Sequence, residues 1–131
     1  MSFKFQFDYG KVILRISLSL VFLFFGISQI YNPASWTGFV PSFVSSIITP
    51  GTAILINGFV EIFFGLLLIF GLYTRFSSLI LGLHLFGIAF SIGFNPLGIR
   101  DFGLALATLS IFFSEPDKLC LDEVVLRKTS K

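Results

Sequence analysis

Four long apolar runs, each closed by a turn or helix-breaking group, leave this chain few ways to fold. They extend from Lys11 to Tyr31, Gly51 to Tyr73, Thr74 to Phe94 and Arg100 to Ser114. The breaks fall at Asn32-Pro33, Pro50-Gly51, Gly71 with Tyr73-Thr74-Arg75, and Asn95-Pro96. A helix needs about 20 apolar residues to cross a hydrocarbon core ~30 Å thick, and in lipid the backbone is satisfied only by helices or a closed barrel. The 131 residues suffice for one domain, and about four such spans use most of them. The runs therefore predict an all-α, membrane-embedded four-helix bundle, with a tail over residues 115–131. Only 12% of residues are charged, where a soluble domain carries about 25%. Mean hydropathy is +0.95. The net charge of +2 gives no reason to expect nucleic acid as a partner; the expected partner is the lipid bilayer.

The first run begins after Lys4, Asp8 and Lys11 and carries no small-residue cleavage site, so it reads as a retained span rather than a signal peptide. Positive charge sets the orientation. Lys4, Lys11 and Arg15 precede or open the first run, Arg75 sits at the second turn, and Lys118, Arg127, Lys128 and Lys131 follow the fourth. Only Arg100 falls on the other side. The positive-inside rule then places both termini in the cytoplasm, in a multi-pass protein of the plasma membrane. The link between the second and third runs is short enough to make them an antiparallel hairpin.

Between the first two runs, residues 33–50 carry Trp36, Phe39, Val40, Phe43, Val44, Ile47 and Ile48 at helical spacing, opposite Ser42, Ser45 and Ser46. This pattern predicts a short interfacial helix, starting or kinking at Pro41, that acts as a plain connector or as a lid over an outward-facing cavity. In the tail, Ser114 and Asp117 with Pro116 suggest a helix start. Cys120, the single cysteine, reads as a small apolar filler exposed to the cytoplasm, and no intrachain disulfide can form.

Ionisable groups within lipid are costly and face the protein interior. Arg15, Ser19, Gly26 and Gln29 fall on one stripe of the first helix; Asn57, Glu61 and Gly65 on one of the second. Ser77, His84, Ser91 and Asn95 do so on the third, and Asp101, Ala105 and Thr108 on the fourth. Such stripes converge on the bundle axis. Glu61 lies 13 residues before Thr74 and His84 lies 10 after it, or about 20 and 15 Å from the cytoplasmic end. A direct or water-bridged contact between them is expected. The uncharged run of 13 residues from Phe102 to Ser114 is about 20 Å long, too short to cross alone. Either the bilayer thins or Arg100 and Asp101 lie below the surface, with Asn95 to Ile99 dipping inward as irregular backbone. A small polar cavity open to the outer side follows from the second option. Arg15, about 6 Å deep, has the reach to snorkel to the cytoplasm.

Glu61, His84 and Asp101 are thus the candidates for proton chemistry, and Arg100, Asn57, Asn95, Gln29 and Arg15 for holding a ligand. Each has a competing reading as a tie within the bundle. One histidine beside carboxylates selects no metal, and a single chain with one histidine excludes bis-histidine haem ligation.

The stretch Asn57 to Phe113 and the opening Arg15 to Gln29 resemble the DoxX family of small four-helix membrane proteins. The similar elements are an early Arg and a late Gly in the first helix, a Glu before a Gly-rich apolar run, Gly-Leu-Tyr-Thr-Arg at the turn and Arg-Asp opening the fourth helix. Leu119-Cys120-Leu121-Asp122 is similar to the family's terminal Ser-Leu-Asp pattern. The resemblance implies the fold, and it implies kinship with subunits of a thiosulfate:quinone oxidoreductase. Many members of the family have no assigned activity. Three functions stay open. A quinone-linked redox subunit would use His84, Glu61 and Asp101 as donor and proton relay, with Arg100 stabilising negative charge. Electron entry would require a soluble or membrane redox partner or a bound cofactor, since the chain encodes no redox centre. A non-catalytic anchor would dock such a partner through Arg75 and the basic tail. A small transporter or lipophilic-ligand receptor would use the same cavity, and as a transporter it requires a homo-oligomer.

Overall fold

A computed structural model describes residues 3–117, 119–122 and 124. Among these residues every regular element is helical: α1 (Phe3–Tyr31), a 3₁₀ segment (Pro33–Phe39), the single turn α2 (Ser42–Ser45), α3 (Pro50–Phe70), α4 (Thr74–Ile92) and α5 (Pro96–Phe112). Local chemistry sets the ends. Thr49 caps α3 by accepting from Thr52 N, with Pro50 in the first helical position. Gly71 ends α3 in the left-handed region at φ 73, and Leu72 N donates back to Leu67 O at 2.8 Å, which satisfies a carbonyl the helix leaves open.

The helices pack as two pairs, α1 with α3 and α4 with α5, and the pairs meet less extensively. Close approach within each pair depends on glycine. A Cβ on Gly26 would lie 2.9 Å from Gly58 O, and one on Gly82 would lie 2.7 Å from Leu109 Cγ. Leu18, Phe22, Leu68, Leu81, Leu85, Ala105 and Ile111 form the buried core between the pairs. Phe24, Phe59, Phe63, Phe76 and Phe90 stand exposed on the outer surface. Three helices, Tyr9–Tyr31, Pro50–Phe70 and Thr74–Ile92, are long and apolar enough to cross a membrane. In water such a surface would drive aggregation; in lipid it is the ordinary exterior. The protein is an all-α membrane protein.

Several local expectations are corrected. The interfacial segment breaks at Pro41, where a start or kink is expected, but the residues before it form a separate 3₁₀ piece, because Pro41 forces Val40 into extended backbone (φ −76, ψ 126). Asn95 to Ile99 is not an irregular, inward-dipping strand of backbone. Asn95 Oδ1 accepts from Gly98 N at 3.0 Å and Pro96 takes the first helical position, so α5 begins there. With 17 residues it extends about 26 Å. Ser114 to Asp117 start no helix. Cys120 is fully buried rather than exposed. Lys118, Val125, Leu126, Arg127, Lys128 and Lys131, which the sequence assigns to the tail, lie outside the described residues.

Candidate functional site

Between the two helix pairs, on the side of the linker and the α4–α5 turn, lies a cavity of about 1010 Å³. Its deep end is polar and its walls are apolar. From α3 comes Glu61, 4% exposed, and from α5 comes Asp101, 7% exposed. From α4 comes His84, whose Nε2 stands 3.8 Å from Glu61 Oε1. These helices run antiparallel from the Gly71–Tyr73 turn, which brings Glu61 and His84 to one level. At 3.8 Å the two atoms are too far apart for a direct hydrogen bond.

Glu61 is held from behind. Asn57, one turn earlier on α3, donates its amide to Glu61 Oε1 at 3.1 Å and to Gln29 Oε1 at 2.7 Å. Gln29 is buried on α1, so this amide chain ties α1 to the carboxyl. Glu61 Oε2 and His84 Nε2 are both buried and have no hydrogen-bonding partner among the described residues. Buried polar atoms are nearly always paired, because an unmade bond costs about 1–3 kcal/mol. Both residues line the cavity, so its deep end is where these two side chains keep unmet hydrogen-bonding capacity. A carboxyl and an imidazole together offer both a donor and an acceptor.

Above this floor, Arg100 leans on Asp101 with both Nε and Nη2 at 3.3 Å from Oδ1, and its guanidinium lies 6.0 Å from the Phe25 ring centre. Trp36, from the 3₁₀ segment, meets Phe25 edge-on at 5.6 Å. The linker therefore forms the cap of the cavity, with Phe39, Val40, Phe43 and Val44 also in the lining.

Three of the candidate binding residues lie outside the cavity lining: Gln29, behind Glu61, and Asn95 and Arg15, which are placed elsewhere. Asn95 caps α5 and donates to Ile92 O at 3.0 Å, outside the cavity lining. Arg15 does not snorkel. It is buried at the opposite end, where Nε donates to Asp117 Oδ2 at 2.8 Å and Nη2 to Oδ1 at 3.3 Å. Its Nη1 donates to Leu68 O at 3.0 Å and Ile69 O at 2.6 Å, closing the last turn of α3. Burial alone would raise the Asp117 carboxyl, but the hydrogen bonds and charge of Arg15 outweigh it and hold it below the ordinary carboxylate range. Nearby, Asp122 accepts from Tyr73 N and Thr74 N, both at 2.7 Å, and so caps α4 from the tail. Cys120 packs on Gly71, and burial pushes its thiol up. This second cluster has its polar atoms paired and carries structure. No spacing among the residues points to Asp117, 102 residues from Arg15, or to the Phe25 wall.

Among the described residues no three His, Cys, Asp or Glu side chains gather so as to hold a metal ion. The sequence profile of the DoxX family matches residues 10–93. That span takes in Glu61 and His84 and stops before α5, which brings Arg100 and Asp101. No curated protein and no solved structure matches the chain.

Proposed function

The chain belongs to the DoxX family, and from that premise we propose that it is a membrane subunit binding a lipid-soluble ring compound, a quinone first, with the ring head at Glu61 and His84. The observation that carries this reading is the pair of unpartnered buried atoms, Glu61 Oε2 and His84 Nε2, at the floor of an otherwise apolar cavity. A quinone carbonyl accepts from a protonated partner, and a quinol hydroxyl donates to an unprotonated one. A carboxyl beside an imidazole serves both oxidation states. Arg100, with Asp101 beside it, would lend positive charge to an electron-rich reduced ring. Electron entry would require a separate redox protein or a bound cofactor. The distribution of Lys and Arg supports placing the tail end in the cytoplasm of a plasma-membrane protein, which turns the cavity to the outer leaflet.

Trp36 is the only tryptophan and lines the cavity, so its fluorescence reports occupancy. Titrating a short-chain benzoquinone into the purified protein in nanodiscs should give saturable quenching. Glu61→Gln and His84→Gln should weaken it by about tenfold each, the loss of one good hydrogen bond to a ligand, with thermal unfolding nearly unchanged. Unsaturable quenching, identical in both variants, would reject the reading.

A further inference from the structure

The lining changes character along its length. At the floor, Glu61, Asp101, Phe22 and Leu85 are 3–7% exposed, whereas Phe39, Phe43, Phe90 and Leu97 at the rim are 41–78% exposed. His84 to Phe90 is six residues of α4 and Glu61 to Ala53 is eight of α3, so floor and rim stand about 9–12 Å apart along the helices. The rim is formed by the linker on one side and by the α4 end and α5 start on the other. Its polar members are few. Ser35 and Ser91 carry small hydroxyls, and the one charge, the half-exposed Arg100, is paired with Asp101 and lies over Phe25.

From this gradient we infer that the ligand is a single-chain amphiphile that reaches the floor head first from within the bilayer, leaving its apolar chain on the aromatic rim between the linker and the α4–α5 turn. The inference rests on the ligand reading above and adds to it the chemistry of the tail and the side of approach. A solute coming from water would have to pass exposed Phe rings that offer it no hydrogen bonds. A chain dissolved in lipid meets at that rim the same apolar surroundings it leaves, and nothing opposes its transfer. The linker suits such passage. Neither the 3₁₀ segment nor α2 has a buried residue, so little burial resists its displacement from α3 and α1, on which it rests, with Trp36 edge-on to Phe25.

Gly87 offers a way to close the route without disturbing the fold. It lies one turn above His84 in the lining, and a Cβ there would meet nothing within 4 Å. The probe is an alkyl benzoquinone carrying a diazirine at the end of its chain, dissolved in phosphatidylcholine nanodiscs and photolysed, with labelled peptides mapped by mass spectrometry. Label should concentrate on 39–44 and 90–97. It should fall by at least about tenfold in Gly87→Phe and persist in Gly87→Ala, while background label on lipid-facing Phe59 and Phe63 stays constant in both. Label confined to Phe59 and Phe63, or equal in Gly87→Phe and the parent protein, overturns the inference. If a tail-less benzoquinone still quenches Trp36 saturably in that case, the head site stands and only the tail assignment falls. If it does not, both fall.

Discussion

Replacing Arg15 by Met removes a buried cation from the end of the bundle remote from the cavity, and the structure fixes what that costs. The guanidinium makes four hydrogen bonds, two to Asp117 and one each to Leu68 O and Ile69 O. Both side chains of the ion pair are at most 3% exposed. Deleting one partner of such a pair strands the other, a loss of about 3–5 kcal/mol. Arg15→Met also leaves two α3 carbonyls unpaired, so it should fall at the upper end of that range. Asp117→Leu leaves those carbonyls occupied and should fall at the lower end. The double variant Arg15→Met/Asp117→Leu buries no unpaired charge but still leaves the two carbonyls open, so it should lose about 5 kcal/mol, no more than Arg15→Met alone, where simple addition would give about 8: a coupling energy of about 3 kcal/mol. Denaturant unfolding in detergent micelles measures all three. Single-variant losses below about 1 kcal/mol, or losses that simply add, would refute the assignment of this pair as the tie between α1, α3 and the tail.

The same pair sets an acid limit. Its folded-state Asp117 pKa is lowered, so the unfolded chain takes up the proton more readily than the folded one. The pair's stabilisation is then fully present above about pH 4 and is lost as pH falls through the lower folded-state value; unfolding midpoints measured across that range should drop in the parent protein and stay flatter in Arg15→Met/Asp117→Leu. Gly26→Val drives a side chain into Gly58 O and Ile62 and should cost about 1–3 kcal/mol in the same unfolding assay. Cys120 should react slowly with an uncharged maleimide in the folded protein, being buried with a raised thiol pKa. Gly71→Ala should speed that reaction, because its Cβ would lie 2.5 Å from Cys120 Cα at a φ of 73; an unchanged rate would show that the tail does not pack on the turn.

How much of this could be read from residues alone follows from what lipid does to a sequence. A helix facing lipid is apolar almost everywhere, so its few polar and small residues stand out and mark the interior face. Arg15, Ser19, Gly26 and Gln29 on α1 are all buried, as are Asp101, Ala105 and Thr108 on α5. The stripe on α4 fails at its end, where Ser91 and Asn95 are exposed, since the helix stops at Ile92 and Asn95 turns to capping α5. Asn95-Pro96 signals a break and a helix start alike, and spacing does not separate the two. The partner of Arg15 was illegible for a different reason. A contact across 102 residues depends on where the tail folds back, which neither periodicity nor charge pattern specifies. In residues 33–50 the helical spacing points to an interfacial element and Pro41 to a start or kink within it, but the 3₁₀ form of Pro33–Phe39 is not legible, because the apolar period continues through Pro41.

Native mass spectrometry of protein released gently from its membrane tests most directly whether a bound molecule completes the bonding of Glu61 and His84. The parent protein should carry a small molecule with a ring head and an apolar chain, at one copy per chain, and Gly87→Phe, equally folded, should have lost it. A parent chain that flies with no such adduct, or an adduct retained undiminished in Gly87→Phe, would contradict the placement of a ligand in the cavity.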